Sequence, residues 1–208
     1  LGDVYKRQPP YMGLRGVNDK LSKYLCEKYP VSKYDMFSAY MEVCQRLAKE
    51  NSFYAMITPH SWMFLTSFGA LREKLLNEGT FINMIHLGAR AFEENVGTIV
   101  QNVAFIFRNG NIPFYKTRII DLTNEENSIK KEAEYLYIKK QCSNEKSYNM
   151  DIKTLMEIPT KSIAYWVSNH VIELFKDLPT LSSITKPRQG IATSDNKRFL
   201  RSWFEVNR

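Results

Sequence analysis

Phe53-Tyr54-Ala55-Met56-Ile57-Thr58-Pro59-His60 decides the fold class. Its first six residues form an apolar run too short for a helix and closed by a proline, which reads as a buried parallel strand. On its N-terminal side, residues 35–49 set Phe37, Tyr40, Met41, Cys44, Leu47 and Ala48 at i, i+3, i+4, i+7 spacing. That is the stripe of a helix packed on a sheet. Further upstream, Asn18 or Asp19 caps a helix reaching about Tyr29, where Pro30 stops it. Downstream, residues 67–77 read as a helix with Leu71, Leu75 and Leu76 on one face and Gly79 as its stop. Residues 81–87 alternate as a strand. Helices alternating with short apolar strands predict an α/β fold with a parallel sheet.

Residues 88–97 read as a polar, glycine-bounded loop and 99–108 as a strand. Asn109-Gly110 is a strong hairpin signal, with 112–122 as the return strand, so a terminal β-hairpin is expected at an antiparallel edge. Residues 123–150 read as a polar connector with helical potential around 132–140. Residues 163–175 read as an amphipathic helix with Ile163, Trp166, Val167, Val171, Leu174 and Phe175 on one face. Pro179 precedes a basic, turn-rich end.

Composition narrows the function classes. Of 208 residues, 44% are hydrophobic and 25% charged, which excludes disorder, collagen and coiled coil as global descriptions. The net charge of +7 favours a polyanionic partner. Cys26, Cys44 and Cys142 lie far apart, so neither a disulfide framework nor a cysteine metal site is expected, and Cys44 reads as a core residue. No stretch approaches the roughly 18 apolar residues of a membrane span. The expectation is a cytoplasmic protein with no membrane partner and no metal.

Several stretches then align in order: Pro9-Pro10-Tyr11, Tyr11-Met12-Gly13, the residues 56–64 (Met-Ile-Thr-Pro-His-Ser-Trp-Met-Phe), His86-Leu87-Gly88-Ala89-Arg90-Ala91-Phe92, Ala164-Tyr165-Trp166 and 189–199. Together they resemble adenine-specific DNA methyltransferases with an Asn-Pro-Pro-Tyr loop. In particular they look like the PglX-like enzymes of BREX phage-defence systems and the related type IIG restriction–modification enzymes. The resemblance implies transfer of a methyl group from S-adenosyl-L-methionine to adenine N6 in double-stranded DNA, with other phage-defence proteins as candidate partners.

The adenine amine is a poor nucleophile because its lone pair is delocalised into the ring. Acceptors on its two N–H groups free that lone pair, aiming electrostatic help at the transition state. By resemblance, the catalytic loop is Gln8, Pro9, Pro10 and Tyr11: the Pro9 carbonyl accepts from the amine and Tyr11 stacks on the flipped base. Gln8 stands where the family has Asn, on a stem one methylene longer. It is assigned to a non-native end, residues 1–8, with Asn expected in the intact protein. Phe92 is the candidate second stacking aromatic, with packing on the sheet edge as the alternative. His60 and Trp62 follow a strand end and either lines the DNA cleft or is buried, whereas His86 reads as structural. The family's glycine-containing cofactor turn is not found, so the S-adenosylmethionine site is expected upstream and the piece is expected to be inactive alone.

At the other end, Lys186, Arg188, Lys197, Arg198, Arg201 and Arg208 are interleaved with Phe199, Trp203 and Phe204, a pattern suited to phosphates and stacked bases. Asp195 and Asn196 are candidate readers of base edges. The organisation that the resemblance implies is 9–122 for the C-terminal half of a Rossmann-like methyltransferase sheet, 123–180 for a connector and helical region, and 181–208 for the start of a target-recognition region. Two other functions stay open: a non-catalytic DNA-binding specificity module, and a protein glutamine N-methyltransferase. The basic, aromatic end argues against the latter.

Overall fold

The computed structural model describes residues 10–92, 100–141, 144–179, 181–186, 200 and 205. They divide into two units, one up to residue 176 and one from 177 onward. In the first, helices α1 (Asp19–Lys28) and α2 (Met36–Leu47) precede strand β1 (Phe53–Pro59). Helix α3 (Gly69–Glu78) leads to β2 (Thr80–Gly88) and β3 (Asn102–Arg108), then β4 (Thr117–Asp121), α4 (Ser128–Lys140), β5 (Ser147–Met150) and α5 (Asn169–Asp177). Both early helices start on side-chain caps. Asn18 accepts the Leu21 N–H, and Asp35 accepts that of Phe37.

The α/β class is as expected, but the sheet is mixed. Its order is β1-β3-β2-β4-β5, and β2–β4 is the parallel pair; β3 runs antiparallel to both β1 and β2, and β5 to β4. β1 and β2 point the same way, as their connection through α3 requires, but β3 has inserted between them. β1 therefore lies at the sheet edge, with Phe53, Ala55 and Ile57 on its exposed face.

The Asn109-Gly110 hairpin does not form. β4 pairs with β2, not with β3. Asn109 is held by other partners: its Nδ2 donates to the carbonyls of Ala48 (2.8 Å) and Gln45 (3.1 Å) at the end of α2. Its backbone exchanges hydrogen bonds with Asn51 and Ser52. Asn111 Nδ2 donates to Asn77 O at the end of α3 (2.6 Å), and the Ile112 N–H donates to Thr80 Oγ1 (2.9 Å). These orphan helix carbonyls draw the chain across the start of β2, overriding the local turn preference.

A second correction concerns 163–175. The helix begins only at Asn169. Before it, Ile163 and Tyr165 are buried in extended or turn backbone, and the Ile163 N–H donates to Met63 O at 2.8 Å. The stretch 123–150 supplies α4 and β5, and Ile138 packs against Ile120 and Leu122.

The main core lies between one sheet face and helices α2 and α3. Trp62 is fully buried and stacks on Phe81 with ring planes 16° apart. Arg72 on α3 is also fully buried, without a carboxylate partner among the described residues. Its guanidinium donates to the carbonyls of Trp62, Leu65, Thr160 and Lys161. Burial lowers its pKa to about 10, so it stays charged at neutral pH and ties the turn after β1 to residues 160–161.

Candidate functional site

The sheet register levels the strand ends. Pro59 of β1 and Gly88 of β2 both face Asn102 of β3, and His86 faces Asp121 of β4. The carboxyl ends of β1, β2 and β4 thus lie at one end of the sheet, where open α/β sheets bind their ligands. Two strand spacings separate β1 from β2, about 10 Å. At this end, Asn102 donates through Nδ2 to Val100 O at 3.1 Å, while its buried Oδ1 has no partner among the described residues.

Pro10 and Tyr11 reach this end from the N-terminal side. The Tyr11 hydroxyl makes a long contact of 3.4 Å to Ile57 O, and its ring meets Phe37 edge-on at 6.4 Å. The ring remains 42% exposed. Partial burial raises the phenol pKa, so the ring is neutral. The next residues are tied to the start of α2. Met12 N–H donates to Asp35 Oδ1 (3.3 Å), the Met36 N–H to Met12 O (3.0 Å), and the Leu14 N–H to Tyr34 O (3.1 Å). Desolvation raises the Asp35 pKa, and the backbone donors around it oppose that rise.

Phe92 leaves the end of β2. It is 39% exposed, and the loop that carries it starts at Gly88, whose φ is +67°. A Cβ there would lie 2.8 Å from Thr123 Cα, so the position demands glycine on two counts. Tyr11 lies beside β1 near this end, and Phe92 follows four residues after the end of β2. Among the described residues no ring contact joins them.

Of the residues after β1, Trp62 is structural: its Nε1 donates to Thr58 Oγ1 at 2.9 Å inside the core. His60 is half-buried, and its Nδ1 lies 2.8 Å from His86 Nε2. His86 Nδ1 in turn lies 2.8 Å from the Tyr165 hydroxyl. Burial, and then the neighbouring His60, hold His86 down to about 4, so both rings are neutral at physiological pH. Burial and the nearby Asp121 carboxylate push Tyr165 above the ordinary phenol range. Sequence reasoning gave His86 a structural role, which fits its burial, but it missed the link to Tyr165. The available signal was that two of only three histidines end strands, and that Tyr165 lies within the Ala164-Tyr165-Trp166 stretch.

Gln8, Pro9, Arg188, Asp195, Asn196, Lys197, Arg198 and Arg201 lie outside the described residues. Lys186 is exposed in the second unit, just after the short helix α6 (Leu181–Ile184). The described residues do not fit an S-adenosylmethionine cradle. β1 runs into Pro59-His60-Ser61-Trp62, where no glycine lets backbone close on a cofactor, and Gly88 packs on Thr123. Among the described residues no three His, Cys, Asp or Glu side chains gather as metal ligands, and no helix is long and apolar enough to cross a membrane.

Comparison with known proteins bears on this geometry. Residues 8–92 match the Eco57I restriction-modification methylase family. The chain is 40% identical over 203 residues to the adenine-specific methyltransferase PglX of Lacticaseibacillus casei (strain Zhang), covering 95% of this chain and 16% of that protein. It is 38% identical over 206 residues to the adenine-specific methyltransferase BrxX of Escherichia coli O9:H4 (strain HS), covering 99% of this chain and 16% of that protein. The chain thus spans about a sixth of the length of these curated relatives. Among solved structures, the type IIG restriction endonuclease BpuSI shares its fold, with a TM-score of 0.56 at 17% identity over 84% of this chain and 22% of that one. So does the type ISP restriction-modification enzyme LlaGI, whose nuclease-deletion mutant was solved with a DNA substrate mimic; its TM-score is 0.52 at 15% identity, over 75% of this chain and 17% of that one. On the match of residues 8–92 and the identity along nearly the whole chain, this chain carries an Eco57I-type restriction-modification methylase segment and is similar throughout to the adenine-specific methyltransferases PglX and BrxX.

Proposed function

We propose that this chain is the adenine-binding side of a DNA methyltransferase that transfers methyl from S-adenosyl-L-methionine to adenine N6 in duplex DNA, in phage defence or restriction–modification. The observation that carries the reading is the level row Pro59–Asn102–Gly88. It brings the end of β1, beside which Tyr11 is anchored, level with Gly88, from which the stretch carrying Phe92 departs. A planar base turned out of a duplex needs two apolar faces and acceptors at its amine.

In this reading Tyr11 supplies one face and Phe92 the other. The Pro9 carbonyl and the side chain at position 8 accept from the amine, which frees the nitrogen lone pair. S-adenosyl-L-methionine would supply an electrophilic methyl group. The basic, aromatic residues 186–208, including Lys186, Arg188, Lys197, Arg198 and Arg201, engage phosphates, and Asp195 and Asn196 read base edges.

The test is methyl transfer by the full-length protein to unmethylated duplex DNA, followed by digestion and mass spectrometry of the nucleosides. N6-methyldeoxyadenosine is the expected product. Methylated glutamine in a protein acceptor, with unmodified DNA, would sink the proposal.

A further inference from the structure

His86 is 5% exposed yet bonded on both ring nitrogens, to His60 Nδ1 and to the Tyr165 hydroxyl, each at 2.8 Å. Its backbone carbonyl accepts the Leu122 N–H at 2.9 Å. Two residues later, Gly88 packs its backbone against Thr123. One residue thus fastens four segments: the turn after β1, the end of β2, the segment after β4, and the stretch before α5. The Tyr165 ring meets Trp166 edge-on at 4.9 Å and Tyr148 at 5.0 Å. Trp166 is 53% exposed and also contacts Phe64.

Packing alone does not require this arrangement. Three apolar side chains would fill the same space without the cost of burying an imidazole and a phenol. A hydrogen-bonded chain adds direction. It fixes each ring's orientation: the Tyr165 hydroxyl also donates to the Asp121 carboxylate, so His86 donates to the phenol through Nδ1 and accepts from His60 through Nε2. The groups so fixed are the roots of the segments that meet at the carboxyl end of the sheet.

We propose that His86, through His60 and Tyr165, is a positioning residue that holds the Gly88–Phe92 stretch at the angle the flipped base requires. The inference rests on the methyltransferase reading for its purpose, and its geometry stands apart from that reading. His86 does not touch the reacting atoms, so its loss misplaces the stacking face without weakening the hold on the methyl donor.

The test uses the full-length protein with Tyr165→Phe, which deletes a hydroxyl and keeps the ring, and with His86→Leu and His86→Asn. Hydrogen exchange is followed at residues 88–92, alongside methyl-transfer kinetics. In Tyr165→Phe and His86→Leu, exchange at 88–92 is expected to quicken about tenfold while β1 and β3 keep their rates. In the same variants kcat falls about tenfold or more while KM for the methyl donor holds within about twofold. His86→Asn, whose amide reaches the Nδ1 position, recovers part of both. Unchanged exchange at 88–92 overturns the proposal, and so does a rise spread evenly over the core strands. If the wild type transfers no methyl group, the functional reading falls, and the exchange pattern still decides whether His86 positions the loop.

Discussion

Asp35 Oδ1 accepts the backbone N–H of Met12 at 3.3 Å and, at the same time, that of Phe37 at 3.2 Å. The residue that caps α2 therefore also anchors the chain directly after Tyr11. A loop that carries a stacking ring gains precision when its support is a helix cap packed on the core. The Tyr11 ring packs edge-on against Phe37 and remains 42% exposed among the described residues.

Tyr11→Ala in the full-length protein is expected to lower kcat/KM for DNA by about 10- to 100-fold, as base–aromatic stacking is worth about 1–3 kcal/mol. Thermal stability should hold, because the ring is largely exposed. Tyr11→Phe should stay within about threefold of wild type, since a contact as long as that to Ile57 O contributes little. Steady-state methyl transfer with a single-site duplex checks both.

Gly88→Ala combines a left-handed backbone with a Cβ set against Thr123 Cα. The cost is about 1–3 kcal/mol, read as a lowered urea midpoint. Methyl transfer should fall as well, because Gly88 roots the stretch that ends in Phe92.

Arg72→Lys removes the planar fork that serves four backbone carbonyls. An ammonium group cannot span them all, so buried acceptors lose their partners. A loss of about 3 kcal/mol or more is expected in denaturant unfolding at neutral pH.

The His60–His86 pair makes stability depend on pH. His86 titrates near 6.5 when unfolded and is lowered to about 4 in the fold by burial, then by His60; Asp121 opposes the shift and Lys131 adds to it. Between those values the unfolded chain binds a proton that the folded chain does not. Stability from this source is therefore unaffected above about pH 6.5, lost as pH falls from 6.5 to 4, and level below that. The full loss is about 3 kcal/mol, and it has the same sign as the smaller contribution of His60. Denaturant titrations across pH 4–7 should show His86→Asn losing less stability than wild type over this window.

Much of the fold was legible because local signals agreed with tertiary ones. Asn18 and Asp35 cap their helices, and Leu71, Leu75 and Leu76 are buried as their spacing requires. The strand at 53–59 was read correctly as a strand and wrongly in its pairing, since periodicity carries no information about which neighbour inserts. Asn109-Gly110 misled because its amide serves helix carbonyls contributed by residues 45–48, far away in sequence. Residues 163–175 gave an apolar helical pattern through Ile163, Trp166 and Val167, yet the Tyr165 hydroxyl between them reaches His86 across 79 residues. Tyr11 and Phe92 were named from a resemblance. The level ends of β1 and β2 follow from the register of β3 with both neighbours, which the sequence does not display.

The most direct measurement replaces the target adenine in a single-site duplex with 5-iodouracil, irradiates the complex with full-length protein, and maps the cross-linked residue by mass spectrometry. The account expects the adduct on Tyr11, with its yield dependent on the base occupying the target position. Cross-linking confined to residues 181–208, with none at Tyr11, would contradict it.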